Sequence, residues 1–272
     1  MHILPRKIAM VTTSPADLRP GAAFFDVDNT IVRGASLFHI GRGFRSRGYL
    51  RFRDLLGFVW KQIKYISSGQ ENLADISSVQ ASALALIAGH SVDKLRADAE
   101  EIFDERLAHK LWAEVLELAR QHRLEGREVY LVTATPVEVA TLIARRLGLS
   151  GALGTRSELI DGIYTGKLEG RPLHGPEKAI AVRALATEQG FSLAKSSAYS
   201  DSINDLPLLT MVGNPNAVNP DRKLKKFAQA HGWQVYDFRR RRSPARWTMP
   251  TVVIAGVTTA VVLAAGIYWL FT

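Results

Sequence analysis

Four apolar residues, Ala22 to Phe25, end abruptly in Asp26-Val27-Asp28, and no other feature of the chain restricts its fold as strongly. A short run that is apolar at every position must be covered on both faces, as in a central strand of a parallel α/β sheet. The polar break then falls at the strand's carboxyl end, where such sheets bind ligands. REVYLVTATP at 127 to 136 is a second such edge, and SSAYS at 196 to 200 reads as a short strand. Apolar residues at helical spacing predict helices over Pro136 to Leu147, closed by Gly148, over Gly175 to Gly190, and from Asn204 to Met211. Strands and helices that alternate in this way predict an α/β, doubly wound parallel sheet with helices on both faces. The segment LIDGIYTG, residues 159 to 166, centres on Asp161-Gly162 and predicts a hairpin.

Composition narrows the chemistry. The 272 residues include no cysteine, which excludes disulfide frameworks, thiolate metal sites and a cysteine nucleophile. An apolar share of 47% excludes a disordered chain. Lys plus Arg number 35 against 26 acids, and the net charge of +9 points to an acidic partner: nucleic acid, an anionic membrane or a phosphorylated substrate.

The N-terminal tail, 1–20, is broken by Pro5, Pro15 and Pro20 and has no signal-peptide run. From Thr248 to Thr272 no residue is charged, and 248–271 are expected to form a transmembrane helix with Trp247, Tyr268 and Trp269 at its edges. The linker 238–247 carries Arg239, Arg240, Arg241, Arg242 and Arg246 on one side of that span, which predicts a single-pass C-terminal anchor with the large domain on the cytoplasmic side. Residues 36–125 are expected to be a helical insert. Its first part, Arg42 to Ile66, interleaves seven cations with Phe44, Tyr49, Phe52, Phe58, Trp60 and Tyr65. That pattern suits an anionic membrane or a phosphorylated ligand, and is compatible with nucleic acid, although nucleic acid is not the expected partner; it equally suits a helical cap with an aromatic core and a wet cationic face.

Asp26 and Asp28 stand one residue apart at a strand end, and Asp201 and Asp205 follow a later strand that would share that sheet edge. Four carboxylates in one cleft repel one another, so the cluster implies a hard cation, Mg²⁺ above all. Thr133, at a strand end, and Lys178, opening a helix, add a hydroxyl and an ammonium for phosphate oxygens. No P-loop and no G-x-S-x-G competes, and the seven histidines lack ligand spacing.

Asp-Val-Asp-Asn-Thr, a strand-end Thr, a Lys and Ser-Asp-Ser-Ile-Asn-Asp, in that order over about residues 22 to 221, resemble the four motifs of the haloacid dehalogenase superfamily. Within it the chain is similar to subfamily IB, the phosphoserine phosphatase-like branch, with the core at 21–35 and 126–237 and a cap at 36–125. The resemblance implies an enzyme, a phosphomonoester hydrolase. Asp26 would be the nucleophile that becomes an aspartyl-phosphate, and Asp28 the acid and base. Mg²⁺ would be held by Asp26, the Asp28 carbonyl and Asp201, with Asp205 close behind. Thr133 and Lys178 would bind the phosphate, Asn204 would orient the last motif or Lys178, and Thr30 would close the loop. Asp28 favours phosphate over halide, because the dehalogenase branch lacks the second aspartate. The branch also places a Glu nine residues after the nucleophile to pair with a substrate ammonium, where this chain has Ala35, and Ser77 to Gly89 offers no Arg for a substrate carboxylate. Together with the expected anchor, these departures favour a lipid or lipid-precursor phosphate; the alternatives are a small soluble metabolite phosphate, such as phosphoserine or glycerol phosphate, and a membrane-tethered scaffold.

Overall fold

The structure is a computed structural model, and the residues it describes are 19–49 and 87–239. Six strands form one parallel sheet: β1 (Ala23–Phe25), β2 (Val129–Pro136), β3 (Gly151–Thr155), β6 (Ser197–Ser200), β7 (Asn214–Val218) and β8 (Gln234–Tyr236). Their order is β3-β2-β1-β6-β7-β8. The chain therefore builds outward from β1 on one side, then restarts beside β1 on the other. The crevice between β1 and β6 is the switch point of a doubly wound fold.

Burial on both faces holds the sheet together. On one face Ala23, Phe25 and Leu131 pack with α3 (Ala113–Leu124) and α4 (Val137–Arg146). On the other, Phe24, Val132 and Ala198 pack with α5 (Pro176–Gln189), α6 (Leu206–Leu209) and α7 (Arg222–Ala230). Successive residues of β1 thus serve opposite layers, as the period of a strand requires. Beneath the sheet Phe25 stacks on Tyr199 with centroids 4.2 Å apart, and the Tyr199 hydroxyl meets His122 Nε2 at 2.8 Å.

Between β1 and β2 run α1 (Ser36–Ser46), α2 (Val92–Ile102), a π-helical turn at Phe103–Leu107 and α3. Within this stretch α3 packs on the sheet, while α1 and α2 pack on each other. β4 (Ser157–Ile160) and β5 (Ile163–Leu168) form the expected hairpin, with Asp161 at φ 51° and Gly162 at φ 75°. Both turn residues have positive φ, the condition for a two-residue turn that matches strand twist. The hairpin gains a third strand-like segment: Tyr164 N–H donates to His90 O (3.0 Å), Gly89 N–H to Tyr164 O (2.8 Å) and Val92 N–H to Gly162 O (2.9 Å).

The helix expected over Asn204 to Met211 is shorter than its pattern. A 3₁₀ turn at Ile203–Asp205 leads into the single turn of α6, where Thr210 Oγ1 donates to the Leu206 carbonyl at 2.8 Å. The chain must then reverse into β7 through Gly213. Among the described residues no helix is long and apolar enough to cross a membrane. The expected span at 248–271, residues 240–247 of the linker, 1–18 of the tail and 50–86 of the insert lie outside the described residues.

A Cβ on Gly213 would lie 1.8 Å from the Ala194 carbonyl oxygen. Backbone cannot yield there as a flexible side chain could, so Gly213→Ala is expected to cost about 1–3 kcal/mol, read as a lowered urea midpoint with an unchanged m-value; an unchanged midpoint would contradict this packing.

Candidate active site

Asp26 is the first residue after β1 and Asp201 the first after β6, and because those strands are parallel neighbours both fall at one edge. Asp26 N–H donates to Tyr199 O (2.9 Å), which continues the ladder into the loop. Asn29 then turns the chain at φ 56°, with its Oδ1 accepting from Gly34 N–H (3.2 Å) and its carbonyl from Asn219 Nδ2 (3.3 Å). This closure was expected of Thr30. Thr30 is instead fully buried with its hydroxyl unpaired among the described residues, because the carboxamides of Asn29 and Asn219 make the bonds. Asp28 is half-buried and fixed by Ser36 N–H, which donates to its Oδ1 at 2.7 Å from the start of α1.

Lys178 stands in the first turn of α5, after Gly175, whose φ of 54° and ψ of −120° aim the helix into the crevice. Its ammonium, almost wholly buried, donates to Asp26 Oδ1 (2.6 Å) and Asp205 Oδ2 (2.7 Å). Ser200 Oγ donates to that same Asp205 oxygen at 2.7 Å. Asp205 is therefore the residue that orients Lys178. Asn204, expected to orient the last motif or Lys178, is exposed, and its backbone N–H donates to Ser202 Oγ at 3.2 Å within that motif. Thr133, expected at a strand end, is buried within β2, which runs on to Pro136; its Oγ1 accepts from Thr135 N–H (3.1 Å) and donates to Thr135 Oγ1 (3.2 Å), which also meets Ser36 Oγ at 2.8 Å.

Charge in this crevice is out of balance. Burial, reinforced by repulsion from Asp205 and Asp28 and opposed by Lys178, lifts Asp26 from 3.8 to about 7. Burial and then the charges of Asp26 and Asp205 lift Asp201 to about 8. Burial pulls Lys178 down, but the attraction of Asp26 and Asp205 outweighs it and holds the ammonium above its ordinary value. One ammonium does not offset these carboxylates, and the surplus negative charge between Asp26 and Asp201 fits a divalent cation. Among the described residues no three acidic or histidine side chains close into a metal cage. The fit is thus of two carboxylates on adjacent strand ends, with the remaining positions open to backbone oxygen, water and substrate.

Besides Asn29 and Asn219, three further contributors were not legible in the sequence. Asp221, the N-cap of α7, accepts from Ile203 N–H (2.8 Å) and Leu224 N–H (2.7 Å), while its own N–H donates to Asp201 O (2.7 Å). An Asp just before RKLKKFAQA was a readable cap signal; its second bond, to the Asp201 loop, was not. Ser36 positions Asp28. His174, half-buried just before α5, is held below its ordinary value by burial and then by Lys178.

The carboxyl-edge crevice, lined by two strand-end aspartates and a buried lysine, is the ligand site of a doubly wound protein of the α/β class. Residues 23–210 match the model of the haloacid dehalogenase-like hydrolases, and the chain belongs to that family. The chain is 50% identical over 242 residues to a protein named phosphoserine phosphatase SerB1 from Mycobacterium tuberculosis, covering 89% of this chain and 78% of that one. It is 30% identical over 221 residues to a histidinol-phosphatase of Neisseria meningitidis, covering 80% and 98%. A solved structure of a protein of unknown function from Bordetella pertussis aligns with a TM-score of 0.71 at 31% identity, over 80% of this chain and 99% of that one. The enzyme is a phosphatase of that family, a phosphoric monoester hydrolase.

The folded state binds more protons than the unfolded one wherever Asp26 and Asp201 are protonated only in the fold, between their ordinary 3.8 and about 7 to 8. Stability from these groups is therefore greatest at low pH and is lost as pH rises through that window. In chelator, the melting temperature is expected to fall from pH 5 to pH 8; Asp201→Asn should flatten the slope and Mg²⁺ should restore stability at pH 8. A melting temperature that rises over this range would contradict the electrostatics.

Proposed function

We propose that the protein is a Mg²⁺-dependent phosphatase that hydrolyses a small, soluble phosphomonoester through an aspartyl-phosphate on Asp26. The observation that carries this reading is the buried Asp26–Lys178–Asp205 chain, 2.6 and 2.7 Å in its links, at the same sheet edge as Asp28 and Asp201. Lys178 holds Asp26 Oδ1 and leaves the second carboxylate oxygen for phosphorus. Asp28, anchored by Ser36, gives a proton to the departing alkoxide as the ester P–O bond breaks and the Asp26–phosphorus bond forms. It then takes a proton from the water that attacks the same phosphorus and releases Asp26. The hydroxyl hydrogen that Thr133 gives to Thr135 would turn to a phosphate oxygen, while Lys178 offsets charge on another. Asp26, the carbonyl of Asp28 and Asp201 would hold Mg²⁺. When bound, the ion offsets the repulsion between carboxylate and phosphate.

The names of the relatives, a phosphoserine phosphatase and a histidinol-phosphatase, support a small soluble substrate over the lipid phosphate expected from the C-terminal sequence. Ala35 counts against adopting phosphoserine outright, since a substrate ammonium would find no carboxylate at that position.

Phosphate release by the full-length chain should require Mg²⁺. Among phosphoserine, histidinol phosphate, glycerol phosphate and lysophosphatidic acid, the soluble esters should be preferred. Asp26→Asn is expected to fall to background and Asp28→Asn to lose about 10²- to 10⁴-fold. Preference for lysophosphatidic acid would overturn the substrate reading, and turnover by Asp26→Asn the mechanism.

A further inference from the structure

α7 buries Leu224 and Ala228 against the sheet and turns Arg222, Lys223 and Lys226 outward, all three exposed. At about 100° per residue these positions share one side of the helix, together with exposed Gln229. The acids of this corner are engaged elsewhere: Asp237 with Lys225 (3.6 Å) and Arg239 (3.2 Å), Asp221 with the amides of Ile203 and Leu224. Among the described residues the outward cations have no ion pair.

The placement of this face in the fold matters more than its charge. Asp221 ties the N-terminus of α7 to the Asp201 loop, so that end lies at the catalytic edge of the sheet. β8 returns the chain to the same edge, where Phe238 N–H donates to Asn219 Oδ1 (2.9 Å) and the Arg239 guanidinium to the Pro220 carbonyl (2.9 Å). The sequence continues from there as Arg240, Arg241, Arg242 and Arg246, then runs from Thr248 to Thr272 without a charge.

We propose that the outward face of α7, with Arg239, docks on an anionic lipid bilayer and thereby holds the catalytic edge of the sheet beside it. Cations near an anionic leaflet each strengthen binding by about fivefold, an effect that fades over about 10 Å at moderate salt. The polybasic run and the uncharged stretch follow Arg239 directly in sequence. Duplex nucleic acid would meet the cations but leave the uncharged stretch without a partner, which favours the bilayer. This inference concerns orientation and is independent of which phosphomonoester is cleaved.

The chain has no cysteine, so Gln229→Cys gives a unique attachment point on α7 for a fluorophore. The labelled full-length protein would be mixed with phosphatidylcholine vesicles, or with vesicles containing about one third phosphatidylglycerol, each carrying a headgroup quencher. Quenching is expected on the anionic vesicles, reduced by 1 M salt, where the screening length falls to about 3 Å. In a variant that adds Arg222→Gln, Lys223→Gln and Lys226→Gln, the vesicle concentration for half-quenching should rise on the order of 100-fold. Aryl phosphate turnover within about twofold of the parent would show that the variant is folded; if it is lost, single Gln variants replace it, each expected to shift the midpoint about fivefold. Equal quenching on neutral vesicles, no quenching on either, or an unshifted midpoint in the folded variants would overturn the proposal. So would displacement of the protein from anionic vesicles by duplex DNA at a lower charge concentration than that of the lipid.

Discussion

The buried ammonium of Lys178 is the contact on which the site depends. It joins three elements distant in sequence, the end of β1 through Asp26, the loop after β6 through Asp205 and the first turn of α5. Removing a partner from a buried ion cluster commonly costs about 3–5 kcal/mol, because the remaining charges keep their desolvation penalty without their compensation. Here the remaining charges would be carboxylates that already repel. The lysine therefore does two things at once: it permits aspartates to gather where phosphate must approach, and it carries positive charge to meet that phosphate. The same constraint explains why Ser200 and Asp205 are buried, since an ammonium confined to the crevice needs its acceptors fixed there.

The strand order converts this local chemistry into a global requirement. Only at the β1–β6 crevice do two parallel neighbours send their next connections to opposite sides, opening a gap at their carboxyl ends. Asp26 and Asp201 occupy the first positions beyond that gap. Both-face burial of β1 locks the position of Asp26, because moving the strand by one residue would exchange Phe24 and Phe25 between two closely packed layers.

Much of this was legible in the sequence. β1, β2, β6 and the hairpin show themselves through apolar runs and through Asp161-Gly162, and the charged residues of the crevice stand out because carboxylates at strand ends are hard to explain otherwise. β3 and β7 were not legible: GALGT and NPNAV carry the Gly, Pro and Asn that weaken a strand signal, and their pairing comes from neighbours already in place. Asp221, Ser36 and Asn29 were missed in their roles for a different reason. Each is an ordinary helix-start or turn residue locally, and each acquires its role through bonds to another segment of the site. The extent of α6 was misread because apolar spacing continues past the point where the backbone has to reverse.

The pairing of residues 89 to 92 with the hairpin has an evolutionary consequence. α2 is registered to the rest of the protein by backbone hydrogen bonds to β5 and the turn at Gly162. Side chains on its outer face can drift without disturbing that register. The length of the segment cannot: one inserted residue would break the alternation of the pairing and rotate the helix behind it by about 100°. Tolerance to substitution and tolerance to insertion thus part company at this point in the chain.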